Sequence, residues 1–372
     1  MANGAAHHSL GVPEGMTCVT VKLIDICSIS KVGTKSLFTP PVPGFDSIGS
    51  VPSWIVLLEH TSGRKVLYDL GIRKDWENLH PVVAQRLKGS THEIIVDKDI
   101  DEYLNDMGIG KEDIDAVVWS HTHWDHMGNM GVFDTKTDLV VGPGFKNHFM
   151  GTEHPSPLGA LIPTDVEGRR VHEISFEAGS KNVVQIGQFS AYDYFHDGSF
   201  YLIDSPGHCV GHLCALARTS TSPNTFVFLG GDVAHHCGEL RPSRHVPLPE
   251  SLSPSPLPGA ASSTTSAFTP RQWFSKLQAS RNRDTDMALY QPAFGHNMDQ
   301  VLESIAKTQE YDRDRHILVL LAHDAAFRDP SVPKLPEALN DWHSRGLGEK
   351  FRWTWIGDVW RESQDSAWSC CS

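Results

Sequence analysis

The chain is 372 residues long, 40% hydrophobic and 21% charged, a globular composition that excludes disordered and fibrous classes. Its 45 acidic residues outnumber 32 basic ones for a net charge of −13, which would repel phosphate backbones and excludes nucleic acid as a partner. No apolar run reaches the roughly 18 residues a membrane-spanning helix needs, and the first residues lack a basic start and an apolar core, so a cytoplasmic protein acting on a small molecule, without a membrane partner, is expected.

In chain order, apolar runs predict strands over 17–26, 53–58 and 65–69, then helical periodicity over 81–87 and 100–107. Residues 116–119 read as a buried strand running straight into Ser120 and His121, and 138–142 repeats the pattern. Further strands are predicted at 171–176, 188–194, 199–203, 225–229 and 317–321, with an amphipathic helix over 299–311. Two β-rich halves, each finishing in helices, imply an α/β sandwich of two sheets with helices on the outer faces.

Residues 247–270 hold so much Pro, Ser and Thr that they read as a loop or lid inserted within one domain. The expected organisation is a single domain over 1–372, with insertions at about 143–170 and 237–275 and a C-terminal extension over 331–372. Trp342, Trp353, Trp355 and Trp360 in that extension predict a helix and a strand closing one sheet. Seven cysteines without a C-x-x-C pair fit reduced thiols. Ser369 stands where a prenylation box would need its cysteine, so lipidation at Cys370 or Cys371 is not expected.

The informative stretch is Ser120-His121-Thr122-His123-Trp124-Asp125-His126. In extended backbone, alternate residues point the same way, so His121 and His123 can chelate one ion while Asp125 and His126, beyond a turn, face a second. Four ligand types in six positions at a strand end point to metal. Three other predicted strands also end in His or Asp: 200–204 runs into a Pro-Gly turn and His208, 226–229 into Gly230-Gly231-Asp232, and 317–321 into Ala322-His323-Asp324.

These motifs resemble the metallo-β-lactamase superfamily: H-x-H-x-D-H at 121–126, S-P-G-H-x-x-G-H at 205–212, G-G-D at 230–232 and A-H-D at 322–324. Order and spacing agree over roughly residues 50–330, and Tyr68-Asp69-Leu70-Gly71 looks like the family's Asp-containing turn. The resemblance implies the family's αββα sandwich, with two mixed β-sheets flanked by helices. It also implies two Zn(2+) per chain, one held by His121, His123 and His208, the other by Asp125, His126 and His323, with Asp232 bridging. Zinc suits this mostly nitrogen donor set. Asp69 is then either a partner of a ligand His or a turn-capping Asp, and His212 supports the site or is structural.

Two zincs side by side would make a nucleophile from water and polarise a carbonyl, with Asp125 orienting that water or carrying its proton. Asp232 replaces the Cys of true zinc β-lactamases and His126 is kept, as in glyoxalase-type thioesterases and lactonases. His235 stands where quorum-signal lactonases carry a Tyr; it could donate a proton to the leaving atom or be structural. The wording of the motifs resembles fungal lactonase-like and lactamase-like members, which implies a hydrolase opening a small cyclic amide, carbamate or ester, such as a benzoxazolinone met in detoxification. The alternatives are an acyl or polyketide thioesterase and an N-acyl homoserine lactonase. Trp124, Phe145, Phe149, Trp273 and Phe274 are candidate pocket walls, and segments 142–159 and 238–270 the expected specificity determinants. Oligomeric state is left open.

Overall fold

The structure, a computed structural model, describes residues 10–151, 161–253, 255–256 and 269–363. Cys370 and Cys371 lie outside the described residues, as do parts of both expected insertions. Two six-stranded sheets carry the architecture. The first consists of β1 (Val19–Ile24), β2 (Ile55–His60), β3 (Lys65–Tyr68), β4 (Ala116–Val118), β5 (Asp138–Val141) and β6 (Val171–Glu173), in that spatial order. The second is built the same way from β7 (Val183–Ile186), β8 (Phe189–Asp193), β9 (Phe200–Asp204), β10 (Leu213–Thr221), β11 (Asn224–Leu229) and β12 (Ile317–Leu320).

Both sheets are mixed. In the first, β1, β2 and β3 pair antiparallel while β3 to β6 pair parallel. The second is antiparallel except where β12 joins β11. The strands are apolar on both faces because both faces are covered. Val56, Leu58, Val66 and Val118 meet Leu202, Ala215, Val227 and Leu320 between the sheets. With the period of two, Leu57, Leu67 and Val117 turn outward onto Val83, Leu87 and Leu104 of helices Pro81–Lys88 and Ile100–Asp106. On the opposite outer face, Phe228 and Val319 pack against Phe274, Leu277, Ile305 and Tyr311 of helices Pro270–Ser280 and Met298–Arg313. Each such fully buried Val, Leu or Phe contributes about 1.5–3 kcal/mol of burial.

This is the expected αββα sandwich; strand Val183–Ile186 and helix Pro270–Ser280 add to the expected elements, and two further departures bear on the sheets. The strand Leu213–Thr221 went unpredicted, since Leu, Cys, Ala and Arg carry little β signal and only its burial on both faces makes it a strand. The C-terminal extension forms helices Leu347–Phe351 and Ile356–Ser363 but no strand among its described residues. It closes the first sheet differently: the backbone N–H groups of Leu335 and Leu339 donate to the carbonyls of Leu23 and Val21, and Asn340 donates through Nδ2 to the Val19 carbonyl. Those bonds satisfy the open edge of β1.

Candidate metal centre

Strands β3 and β4 run parallel, and so do β11 and β12; β9 has the same direction as β11 because both are antiparallel to β10. Within each sheet these C-terminal ends therefore share one edge, and the motif residues follow directly on them. The two edges are joined where Leu213 N–H donates to the Ser120 carbonyl. The turn after β9 needs Gly207: at φ 128° a Cβ would lie 2.3 Å from the Val301 backbone nitrogen. That close approach to helix Met298–Arg313 fixes where His208 begins.

Two groups of side chains converge. Ligand-type atoms of His121, His123, His208 and Asp232 lie within 4.8 Å of one another, and so do those of Asp125, His126 and His323. Asp232 faces both. Its Oδ2 is 3.6 Å from Nε2 of His121 and 3.6 Å from Nε2 of His208, while its Oδ1 is 3.3 Å from Nε2 of His126 and 3.2 Å from Nε2 of His323. The seven residues singled out in the sequence thus come together from four separate segments.

The far nitrogens are occupied, which fixes the near ones inward. His126 Nδ1 bonds Asp69 at 2.8 Å, His323 Nδ1 donates to the Pro52 carbonyl at 2.8 Å, and His121 Nδ1 is 3.0 Å from Ser120 Oγ. Asp69 also accepts from Ser120 N and Oγ at 2.6 and 2.7 Å, and its backbone sits at φ 58°, an uncommon conformation for a residue with a side chain. It therefore supports a site His and shapes the turn at once. His212 is structural in the same sense: its Nε2 accepts from the Asp232 backbone N–H at 3.0 Å.

The donor set fits a cation. His121 Nε2, His126 Nε2 and Asp232 Oδ1 are buried without a hydrogen-bond partner, a costly arrangement unless something binds them. Burial, with His126 and His123 close by, holds the His121 imidazole well below its usual range, and burial with His123 does the same for His208. Burial pulls His126 down too, but the Asp232 and Asp69 carboxylates outweigh it and hold it well above. Burial pushes Asp232 up, yet His126, His323 and His235 outweigh that and keep it ionised. This is an environment that favours positive charge beside Asp232.

His235 lies at the same place, its Nε2 3.4 Å from Asp232 Oδ2 and its ring 5.0 Å from the Phe294 ring. Burial pulls its imidazole down to about 4. Behind it is Glu239, which sequence reasoning missed. This fully buried carboxyl accepts from the backbone N–H groups of His235 at 2.6 Å and His236 at 3.3 Å, and burial pushes its pKa up to about 8. Cys237 is a buried thiol, its Sγ 3.4 Å from Asp324 Oδ2.

A cavity of about 420 Å³ opens over these residues. Trp124 and Phe149 line it, as expected, but Phe145 packs beneath Trp119 in the core. Trp273 and Phe274 are also corrected. Their helix turns Phe274 into the outer core, where apolar burial is greater, and Trp273 packs on Trp360. Segment 142–159 contributes His148 and Phe149, whereas no described residue of 238–270 reaches the cavity. The facing wall is instead Ile29, Val32, Leu37, Ile48 and Val51, from the short strand pairs between Cys27 and Pro52. Phe294 completes it, held because His296 N–H and Asn297 N–H donate to the carbonyls of His208 and Gly207. Those short strands have too few residues to show a period, so nothing in the sequence marked them as a wall.

Comparison with known proteins agrees with this geometry. The family model for the metallo-beta-lactamase superfamily matches residues 48–220. The chain is 39% identical over 354 residues to the metallo-hydrolase mfmC of Annulohypoxylon moriforme, covering 94% of this chain and 90% of that protein. It is 38% identical over 357 residues to the gamma-lactamase FDB1 of Fusarium pseudograminearum, covering 93% and 84%. Among solved structures, a Bacillus thuringiensis AiiA mutant with N-decanoyl-L-homoserine bound superposes with a TM-score of 0.55 at 17% identity, over 87% of this chain and 100% of that one, a likeness of fold. The chain belongs to the metallo-β-lactamase superfamily and is a hydrolase of that family.

Proposed function

We propose that the chain is a dinuclear zinc hydrolase that opens a small cyclic amide, carbamate or ester, of lactamase or lactonase type. The observation that carries this reading is the position of Asp232, whose two oxygens face two separate ligand groups at the floor of a largely apolar cavity. His121, His123 and His208 would hold one zinc, Asp125, His126 and His323 the other, and Asp232 would bridge them. When bound, zinc polarises a carbonyl oxygen and lowers the pKa of water to about 7. The gamma-lactamase and lactonase names among similar proteins support the substrate class.

The chain's own residues supply the rest. Asp125, half-buried with its Oδ2 3.7 Å from His323 Nε2, is placed to hold a proton taken from the attacking water. His235 is neutral near pH 7, since burial keeps its imidazole at about 4. It therefore acts as a hydrogen-bond donor to the leaving nitrogen or oxygen rather than as an imidazolium. Trp124, Phe149 and Phe294 exclude water and hold a flat ring beside the metal ligands.

The apolar wall of Ile29, Val32, Leu37, Ile48 and Val51 supports our reading of an aromatic substrate such as a benzoxazolinone, and we propose detoxification in the cytoplasm as its setting. We read the segments at 143–170, 237–275 and 331–372 as additions to one domain spanning 1–372. A hydrolysis screen across benzoxazolinone, γ-lactams, acyl-homoserine lactones and thioesters tests the proposal. Turnover of cyclic amides or carbamates is expected, and turnover of thioesters alone would overturn it.

A further inference from the structure

The cavity wall holds one basic side chain with a fixed charge and no use in the chemistry described so far. Of the described residues that line it, Asp125 and Asp232 are the carboxylates and Arg86 is the single Lys or Arg. Both carboxylates belong to the metal ligand groups. Arg86 lies exposed in the last turn of helix Pro81–Lys88, between the apolar residues Val83 and Leu87 that anchor that helix to the first sheet. It makes no ion pair with any described carboxylate, although the chain carries 45 acidic residues.

Other described cations, such as Lys22 and Arg241, are paired with carboxylates at 2.7 and 2.6 Å and lie away from the cavity. Arg86, itself exposed, lines the cavity together with His92, which is half-buried and whose buried Nδ1 has no hydrogen-bond partner. Burial lowers the His92 imidazole, the Asp125 carboxylate raises it and the Arg86 charge lowers it, so Arg86 and His92 lie within electrostatic reach of each other. A guanidinium presents a planar fork of donors that matches a carboxylate, and such charge-assisted pairs are stronger than neutral ones.

We propose that the substrate is amphiphilic: a ring opened at the metal centre, an apolar body against the 29–51 wall and Phe294, and a carboxylate received by Arg86 with His92 beside it at the mouth. The assignment rests on the hydrolase reading above, and it names Arg86 as the residue that selects anionic over neutral substrates. The apolar wall supplies affinity without orientation. Arg86 supplies orientation, because a second anchor fixes which way a flat ring lies over the ligand residues.

The test compares benzoxazolinone bearing a ring carboxylate with its methyl ester, in the zinc-loaded full-length chain and in Arg86→Met and Arg86→Lys. The wild type should prefer the carboxylate by roughly tenfold or more in kcat/KM, carried mainly in KM, as expected for a charge-assisted bond. Arg86→Met should bring the ratio near one, and Arg86→Lys should restore part of it. An equal ratio in wild type and Arg86→Met overturns the proposal. Should neither compound be hydrolysed, the reading of the function fails separately. Calorimetric titration of both compounds into the same proteins then decides: tighter carboxylate binding by the wild type than by Arg86→Met upholds Arg86, and equal binding overturns it.

Discussion

His126 donates its Nδ1 proton to Asp69 across 2.8 Å, and both residues are buried. A carboxylate only accepts, so this bond keeps the Nδ1 proton in place and makes Nε2, on the Asp232 side, the nitrogen that a cation would take. Asp69 thus acts on the site through another residue, from the end of a neighbouring strand.

Asp69→Asn tests that role. The single amide oxygen can replace Oδ1 or Oδ2 but not both, so Asn leaves either the Ser120 N–H, or the Ser120 hydroxyl and the His126 Nδ1–H, facing an NH2 donor. Zinc affinity should fall roughly tenfold to a hundredfold, read by competition with a chromophoric chelator, because supporting partners of ligand His residues carry effects of this size. Unchanged affinity would reduce Asp69 to a turn-former.

Gly207→Ala should cost stability directly. The new Cβ would meet the Val301 backbone nitrogen at 2.3 Å, at a φ of 128° that side-chain-bearing residues rarely adopt. Backbone cannot move aside as a flexible side chain can. Urea unfolding should show a loss of roughly 2 kcal/mol or more, and a change within about 0.5 kcal/mol would mean the turn is looser than described.

For His235, replacement by Phe keeps the ring and its packing against Phe294 while removing both nitrogens. Turnover should drop roughly tenfold or more with the melting temperature little altered. A rate equal to wild type would assign His235 to packing alone.

Glu239 gives stability a pH dependence whose sign follows from its raised pKa. Below about 4.5 folded and unfolded chains both hold the proton, and between about 4.5 and 8 the folded chain alone retains it. Stability from this group is therefore full at the acid end and is lost as pH rises toward 8. Glu239→Gln keeps an oxygen for the His235 and His236 N–H groups but does not titrate. The variant should match wild type near pH 5 and exceed it by about 3–5 kcal/mol above pH 8, measured by chemical denaturation. A difference independent of pH would contradict the assignment.

Much of the site was legible because its residues are concentrated. His121 to His126 fall within one turn-length of chain, and His208, Asp232 and His323 each follow an apolar run that reads as a buried strand. What was not legible depends on tertiary placement. Leu213–Thr221 lacks β-branched residues until its end and becomes a strand through burial on both faces. Phe294, Arg86 and the wall from Ile29 to Val51 come from segments far apart in the chain, with no motif to link them. Trp273 and Phe274 misled because an aromatic side chain serves a core as readily as a pocket, and sequence position beside a loop does not say which.

The central claim is that Asp232 joins two cations, and metal analysis of the purified full-length chain tests it most directly. Plasma mass spectrometry should find two zincs per wild-type chain, and fewer than one in Asp232→Ala at unchanged far-ultraviolet circular dichroism, with turnover abolished. A wild-type enzyme active with one metal or none, or an Asp232→Ala chain that keeps both zincs and its rate, would contradict the account.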